Sequence, residues 1–302
     1  MKQVWVEKYR PKHVADVIVS NSRERADFDQ YVKDQEIPNL LLQGGPGTGK
    51  SSVSLALIRD LNVDRSDVLK INCSDEKIEA MRDKVKNFAM TMSVGKFKVV
   101  RLEEFDYLGH EAQALLRDLI ETTASSCRFI ATCNYINKVT PPLRSRFQEV
   151  IFSSPSKDEV LIKAAEILEA EQVEFNIDDL EKVVAAGYPD FRKVIQILEK
   201  GSKSGKLIIN SGAAASDWKL QLLPLIEAGE INQARKVVCE SATKEELIDV
   251  YRFLYDNLYR CKKLKQQDQA IILIAQYQFQ HAQVYDPELQ VAALFIELAA
   301  LV

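Results

Sequence analysis

The sequence contains no run of apolar residues close to the length of about 18 that a membrane-spanning helix needs. Its first five residues, Met-Lys-Gln-Val-Trp, form no apolar signal core. Its five cysteines include no Cys-x-x-Cys pair, so neither a zinc ligand set nor a disulfide framework is predicted. Cys73, Cys127 and Cys133 lie in or beside apolar segments, which is typical of small core residues. We therefore expect a cytoplasmic protein with no membrane partner.

An excess of basic residues is also missing. The chain has 40 Lys and Arg residues against 44 Asp and Glu, a formal net charge of −4. This balance argues against a generally basic nucleic-acid coat but is compatible with a local basic track. No internal repeat or low-complexity segment is present. With 302 residues, of which 46% are hydrophobic, the chain can form two or three ordinary globular domains.

One glycine-rich stretch carries the strongest functional signal. Residues 44–51 read Gly-Gly-Pro-Gly-Thr-Gly-Lys-Ser and match the phosphate-binding pattern Gly-x-x-x-x-Gly-Lys-Ser/Thr at every fixed position. The apolar residues 39–43 before it predict a buried strand, and residues 52–61 after it predict a helix. A plain glycine-rich turn is the alternative. The strand and helix favour a phosphate site, because backbone N–H groups and the positive helix end then face the anion.

The residues of this stretch have distinct predicted roles. Lys50 would reach the β- and γ-phosphates of a nucleotide, and the Ser51 hydroxyl would hold Mg²⁺. A nucleotide and Mg²⁺ are therefore the predicted ligands, and the family resemblance described below implies that the nucleotide is ATP. The predicted nucleotide-binding residues in this stretch are Gly45, Pro46, Gly47, Thr48, Gly49, Lys50, Ser51 and Ser52.

Two adjacent carboxylates follow the third predicted strand, residues 97–102. Glu103 would act on the metal through water, and Glu104 would orient the attacking water as a base. Two solvated acids at the entry to a helix are the alternative interpretation. Arg101 lies within the same predicted strand, where a buried arginine needs a partner, and the sequence identifies none.

Three further polar groups leave their roles open. Asn134 ends the fourth predicted strand, where its amide could reach the γ-phosphate or the water, or could simply form a turn. Arg146 follows a Pro-Pro turn and could be a surface charge or an arginine finger for a neighbouring subunit. Asp106, His110 and Glu111 resemble a metal cluster, but we expect them to cap and solvate the following helix.

The order of predicted elements separates three regions. Strands alternate with helices up to residue 152, which predicts an α/β fold with a five-stranded parallel sheet, helices on both faces and a ligand at the carboxyl ends of the strands. Only helices are predicted beyond this point, with a Gly- and Lys-containing linker at residues 201–206. The predicted domains are a P-loop ATPase domain at 1–154, a small helical domain at 155–207 and an all-α domain with about five helical segments at 208–302.

Several motifs resemble those of clamp-loader ATPases of the AAA+ class. Residues 6–11, Val-Glu-Lys-Tyr-Arg-Pro, resemble the signature that packs beside adenine in replication-factor-C-type subunits, which adds Arg10 and Pro11 to the predicted nucleotide site. Residues 132–135 resemble the sensor-1 strand. Residues 143–147 resemble the Ser-Arg-Cys motif, with Phe147 in place of Cys. Residues 188–193 resemble the sensor-2 helix, in which Arg192 is the matching arginine.

The resemblance is closest to the large subunit of T-even-like phage clamp loaders, through residues 74–79, 189–193 and 294–298. It implies an AAA+ sheet domain, a helical lid and an all-α collar. It also implies a hetero-pentamer in which four copies of this chain join one small clamp-loader subunit in the host cytoplasm. ATP binding would open a ring-shaped sliding clamp. Primer–template DNA would then trigger hydrolysis and release of the closed clamp.

The same resemblance assigns roles to individual residues. Glu104, Asn134 and Arg192 would serve catalysis within one subunit, and Arg146 would complete the site of its neighbour. DNA would be held by its phosphate backbone, as suits loading at any sequence. Two residues on the helix after the second strand would contact it, although a solvated helix face is equally compatible; these are Lys77 and Arg82. Asn72 matches a switch residue that holds the catalytic glutamate aside until DNA binds.

Two departures from the family pattern leave alternatives open. The acidic motif normally reads Asp-Glu and here reads Glu103-Glu104, and Arg101 replaces an apolar residue. Because Mg²⁺ demands near-ideal octahedral geometry, the longer Glu103 can alter metal binding. The alternatives are a structural AAA+ subunit with weak or no hydrolysis and another AAA+ DNA motor such as a helicase loader. A small-molecule P-loop kinase would leave the helical domains unexplained.

Overall fold

A computed structural model describes most of the chain. The described residues are 3–19, 21–75, 78–202, 205–208, 218–244, 246–281 and 283–302, without the side chains of residues 78 and 79. They divide into two compact units. The first comprises Met1–Glu159 with Pro189–Phe191, and the second comprises Val160–Tyr188 with Arg192–Val302. The predicted boundaries near residues 154 and 207 stay predictions.

The first unit contains the predicted five-stranded parallel sheet. Its strand order is β2-β3-β4-β1-β5, and every pairing in it is parallel. The first and third strands lie within one residue of their predicted bounds. They are β1 Leu40–Gly44, β2 Val68–Asn72, β3 Lys98–Glu103, β4 Cys127–Cys133 and β5 Gln148–Phe152.

Helices cover both faces of this sheet. Leu40, Leu42 and Val99 face one apolar core, and the alternating residues Leu41 and Val100 face another. This alternation follows from the pleat of a strand, and burial on both faces explains the continuous apolar runs in the sequence. The helices of this unit are α1 Trp5–Lys8, α2 Ser22–Asp34, α3 Lys50–Asp60, α4 Ile78–Met90, α5 His110–Thr122 and α6 Pro141–Arg144.

The amino-terminal segment contains a one-turn helix. The Arg10-Pro11 step by itself favours extended backbone, whereas the preceding residues Trp5–Lys8 form the helix α1. The side chain of Trp5 is buried, and the N–H of Tyr9 donates to the Trp5 carbonyl. Burial of a large aromatic ring supplies the free energy that a single turn lacks on its own.

Two buried charges fix the segment between α4 and β3. The Lys98 ammonium is almost fully buried and donates to the carbonyl of Phe88 at 2.7 Å. The buried Asp67 carboxylate accepts the N–H groups of Val94 and Gly95 at 2.8 and 2.7 Å. Each charge thus receives the hydrogen bonds that its burial requires.

The second unit is helical, as predicted. Its core contains Trp218, Tyr251 and Phe295, and the Tyr251 hydroxyl lies 2.9 Å from His281 Nδ1. None of the described helices combines the length and apolar character that crossing a bilayer requires. Among the described residues, five α-helices follow residue 217, in agreement with the prediction of about five helical segments. The helices are α7 Lys157–Ala170, α8 Ile177–Gly187, α9 Phe191–Gly201, α10 Trp218–Ala228, α11 Ile231–Ser241, α12 Leu247–Asn257, α13 Gln267–His281 and α14 Pro287–Ala299.

Asn39 connects three strands where β1 begins, and its replacement tests this connection. Its Oδ1 accepts the N–H of Phe129 at 2.9 Å, and its Nδ2 donates to the Arg146 carbonyl at 3.3 Å. We expect Asn39→Ala to lower the free energy of unfolding by about 1–3 kcal/mol, because it leaves a strand N–H without its acceptor. Urea denaturation measures this change. The exposed Asn87→Ala should stay within about 0.5 kcal/mol of wild type, and an equal loss in both variants would contradict the prediction.

Candidate nucleotide site

The strand register places four predicted site segments at one edge of the sheet. Asn72 pairs with Glu103 across β2 and β3, and Gln43 pairs with Cys133 across β1 and β4. The carboxyl ends of these parallel strands therefore lie side by side, and Asn134 directly follows the end of β4. Ligands of open parallel sheets bind at this edge, so the strand topology assembles the candidate site.

The P-loop between β1 and α3 depends on two glycines with left-handed backbone. Gly47 has φ +72° and Gly49 has φ +94°, a region that favours glycine. A Cβ at Gly47 would also strike the Asp190 carboxylate. The Thr48 hydroxyl donates to the Gly45 carbonyl at 2.9 Å and closes the turn. Contacts within the chain therefore help to shape this loop.

Lys50 joins the P-loop to the neighbouring strand. Its buried ammonium donates to the carbonyls of Gly44 and Gly45 at 2.8 and 2.6 Å and to Asn134 Oδ1 at 3.0 Å. The structure therefore brings together the predicted phosphate-binding lysine and the predicted sensor-1 asparagine. An ammonium at this position can exchange a protein acceptor for a phosphate oxygen.

Asp106 binds the backbone of Asn134, whereas Lys50 binds its side chain. Its buried carboxylate accepts the backbone N–H groups of Asn134 at 3.3 Å and Tyr135 at 3.2 Å. The expectation that Asp106 caps and solvates the next helix is wrong, since α5 begins after Gly109 and Asp106 is 3% exposed. No group of three or more His, Cys, Asp or Glu residues in the described chain could hold a metal. Asp106 is therefore a positioning residue that sequence reasoning missed.

Arg101 finds its partner in Glu103. Its Nη2 donates to Glu103 Oε1 at 2.6 Å, and its Nε donates to the Ser54 hydroxyl at 3.2 Å. Lys70 Nζ lies 2.8 Å from the other carboxylate oxygen, Oε2. Burial lowers the pKa of the Arg101 guanidinium. The carboxylate of Glu103 raises this pKa, and the positive charge of Arg10 lowers it further. The guanidinium stays charged, as arginine does in proteins.

The oxygen donors at this edge suit a magnesium ion. Hydroxyl and carboxylate oxygens, here those of Ser51 and Glu103, are the ligand types that Mg²⁺ prefers. Each oxygen of Glu103 already accepts a cationic donor. A carboxylate has about four lone-pair sites, so a metal-bound water could share Glu103 with Arg101 and Lys70.

Glu104 has an unusual backbone conformation. It is exposed, and its φ of 56° and ψ of 45° place it in the left-handed region. A non-glycine residue there stores about 1–3 kcal/mol, and such residues cluster at functional sites. The carbonyl of Glu104 accepts the N–H of Tyr107 and starts a single 3₁₀ turn. This placement at the site edge is compatible with the predicted base, a role that stays a prediction.

The cysteine beside the site is a core residue, as predicted. Cys133 is buried at the end of β4, and burial raises the pKa of its thiol to about 12. A thiol with such a pKa carries almost no thiolate at neutral pH and is not a nucleophile. Cys73 and Cys127 are buried as well.

The remaining predicted residues lie in different surroundings. Asn72 Nδ2 donates to Asp75 at 2.6 Å, and its Oδ1 accepts the Ser74 hydroxyl at 3.2 Å. Both atoms of its side-chain amide therefore bond to residues that precede α4 in the chain. Arg10 donates to Glu7 at 3.0 Å. Of the other predicted site residues, Lys77 lies outside the described residues and Arg82 is exposed on α4. Arg192 is the second residue of α9 and belongs to the second unit.

Arg146 lies at the opposite edge of the sheet. Its carbonyl accepts the amide of Asn39, directly before β1, whereas the P-loop follows the end of β1. Five residues at about 3.3 Å each separate the two edges by roughly 16 Å. The Arg146 guanidinium donates to Glu121 at 2.7 Å and to the Pro142 carbonyl at 2.6 Å. The structure therefore does not bring Arg146 to the P-loop of its own chain.

Comparison with known proteins decides the family. Residues 40–155 match the model of the ATPase family associated with various cellular activities. The replication factor C small subunit of Sulfolobus acidocaldarius is 32% identical over 98% of this chain and 95% of its own length. The chain belongs to the replication factor C small-subunit family. The small subunit of Archaeoglobus fulgidus is 37% identical over 68% of this chain and 66% of its own length.

Solved structures support the fold alone. The Thermotoga maritima RuvB Holliday junction branch migration motor has a TM-score of 0.59 and covers 93% of this chain, with 90% of its own length covered, at 15% identity. The replication factor C family member described here is an ATP-hydrolysing enzyme of the AAA+ class and of clamp-loader type. The predicted class and fold are confirmed. The closer likeness to a phage large subunit stays a prediction.

The role of Asp106 can be tested by truncation. We expect Asp106→Ala to lower the free energy of unfolding by about 3 kcal/mol, because two N–H groups lose a charged acceptor. It should also reduce ATP turnover, since Asn134 loses its support. Urea denaturation and an ATPase assay measure the two effects. The exposed Asp118→Ala is the matched control. Unchanged turnover in a folded Asp106→Ala variant would contradict the positioning role.

Proposed function

We propose that this replication factor C family member is the ATPase subunit of a DNA polymerase sliding-clamp loader. ATP binding opens and holds the clamp, and primer–template DNA triggers hydrolysis and release of the loaded clamp. One observation carries the proposal. The phosphate-binding Lys50 and the arginine Arg146 lie at opposite edges of one sheet, so a site that uses both needs two adjacent subunits.

Within one subunit, the P-loop and Lys50 bind the phosphates, and Arg10 and Pro11 lie beside the base. Glu104 orients water, Asn134 contacts the γ-phosphate region, and Arg192 is the catalytic sensor-2 arginine that the family resemblance implies. Ser51 and Glu103 would hold Mg²⁺, which when bound neutralises phosphate charge. Lys50 already contacts Asn134, which supports their shared role at the γ-phosphate.

The neighbouring subunit supplies Arg146 as an arginine finger. A finger in trans contributes about 10³–10⁵ in rate, or roughly 4–7 kcal/mol. In the single chain, Glu121 and the Pro142 carbonyl hold this guanidinium. Its side chain is 30% exposed, so it is accessible to a partner's nucleotide. An isolated subunit would therefore hydrolyse ATP very slowly.

Four copies of this chain would join one small clamp-loader subunit. The region at 208–302 would form the collar of this assembly, and residues 155–207 its lid. Large apolar side chains are exposed on the collar helices, which supports burial against other subunits. These side chains are Ile271, Ile272, Phe279, Leu289 and Ile296.

The DNA partner would be primer–template DNA bound through its phosphate backbone. Arg82 is exposed on α4, and Lys77 precedes that helix in the sequence. Asn72 would act as the switch that responds to DNA, since it joins the end of β2 to the residues before α4. The proposed location is the cytoplasm, that of the host if the chain is of phage origin.

Turnover by the assembled complex tests this function. We would measure ATP hydrolysis by the chain with its small subunit, with and without the sliding clamp and primer–template DNA. Strong stimulation only when both are present supports the proposal. ATP binding without stimulated turnover would instead favour a structural AAA+ subunit, and stimulation by another DNA structure without the clamp would favour a different motor.

A mixed assembly tests the arginine finger. We expect Arg146→Ala and Lys50→Ala to abolish most turnover when each is assembled alone, by about 10³-fold or more. Assemblies that contain both variants should recover part of the activity, because some interfaces then pair an intact Lys50 with an intact Arg146. Native mass spectrometry would confirm co-assembly. Absence of recovery in confirmed mixed assemblies would contradict action in trans.

A further inference from the structure

Glu103 is neutralised by cations of its own chain. Arg101 Nη2 lies 2.6 Å from one carboxylate oxygen, and Lys70 Nζ lies 2.8 Å from the other. The Arg101 side chain is 6% exposed and that of Glu103 20%. Both carboxylate oxygens thus accept a charge-assisted hydrogen bond, which is the strong type. Glu103 has the position of a metal-binding acid, and each of its two carboxylate oxygens bonds to a cationic side chain of the same chain.

Arg101 also connects Glu103 to the first turn of α3. Its Nε donates to the Ser54 hydroxyl at 3.2 Å, and that hydroxyl donates to the Ser51 carbonyl at 2.9 Å. Arg101 and Glu103 are two residues apart on β3, so their side chains point to the same face of the sheet. One guanidinium therefore joins the carboxylate to the turn that bears the Ser51 hydroxyl.

A contribution to stability does not explain this arrangement. Replacing a buried ion pair with apolar side chains is often neutral or stabilising, because desolvation offsets the attraction. Arg101 lies between Lys70 and Ile130 in the sheet register, where an apolar residue would continue the buried strand. Lys70 is 59% exposed and reaches Glu103 from the rim, so it is not required to fill the core.

We propose that Arg101 is a positioning residue that, together with Lys70, fixes Glu103 and places built-in positive charge beside the metal position. Nucleotide binding by this chain then depends less on Mg²⁺ than it would with a free carboxylate. Fixed cations a few ångströms from a divalent ion disfavour it by about tenfold or more, even with strong dielectric screening. The proposal rests on the nucleotide site proposed above but not on clamp loading.

The test is nucleotide affinity with and without metal. We would titrate the full chain with a fluorescent ATP analogue in Mg²⁺ and in EDTA and compare the ratio of the two dissociation constants. Arg101→Met keeps an unbranched apolar stem and removes the charge, and we expect it to raise the magnesium dependence about tenfold. Arg101→Lys keeps a cation near Glu103 and should restore a ratio within about twofold of wild type.

Two further variants keep the test decisive. Arg59→Met removes an exposed charge elsewhere on α3 and should leave the ratio unchanged. If Arg101→Met does not fold, Lys70→Met at the exposed rim should still raise the ratio, by about threefold because solvent screens this charge. Circular dichroism would confirm that each variant is folded.

The outcomes separate this inference from the proposed function. Normal binding with the same magnesium dependence in wild type, Arg101→Met and Lys70→Met would overturn the role of Arg101 and leave clamp loading intact. An equal rise of the magnesium dependence in Arg101→Met and Arg101→Lys would also overturn this role, because the charge of residue 101 would then not be the cause. A wild-type chain that binds no nucleotide in either buffer would overturn the nucleotide site and this inference together.

Discussion

The buried ammonium of Lys50 is the interaction on which the site depends. It needs acceptors because an unpaired buried charge is too costly, and it finds them on two neighbouring strand ends, at Gly44 and Asn134. Asp106 fixes the backbone of the residues after β4. These contacts within the chain position the P-loop and the sensor strand relative to each other. Preorganisation of this kind lowers the reorganisation that catalysis would otherwise require.

The parallel sheet imposes a second constraint. All five strands run in one direction, so one edge collects Glu103, Asn134 and the P-loop that leads to Lys50, and the other collects the strand beginnings near Arg146. No side chain can span the strand length of roughly 16 Å between these edges. A single subunit thus presents a phosphate site on one edge and an arginine on the other. Association of copies is the direct way to combine them.

The sequence predicted those features that local patterns encode. The P-loop needs left-handed glycines between a strand and a helix, and the structure shows these at Gly47 and Gly49. The sequence did not reveal that Asp106 binds the backbone of Asn134, because a contact over 28 residues has no local signal. The partner of Arg101, in contrast, could have been predicted from the sequence. Two residues separate it from Glu103, and side chains at that spacing on a strand share a face.

The two residues that depart from the pattern expected from the clamp-loader resemblance form one physical feature. An apolar residue at position 101 would leave the carboxylate of residue 103 with the exposed Lys70 as its remaining cationic partner, and an aspartate at 103 would be shorter by one methylene. With Glu103 and Arg101 together, the guanidinium meets the carboxylate at 2.6 Å and still reaches Ser54. The longer side chain of Glu103 allows this contact, and Arg101 in turn restricts the position of the Glu103 carboxylate. Each change alone would weaken the contact, because Arg101 would face a shorter acid or Glu103 would keep only the exposed Lys70, so the pair is best understood as a single unit of the site.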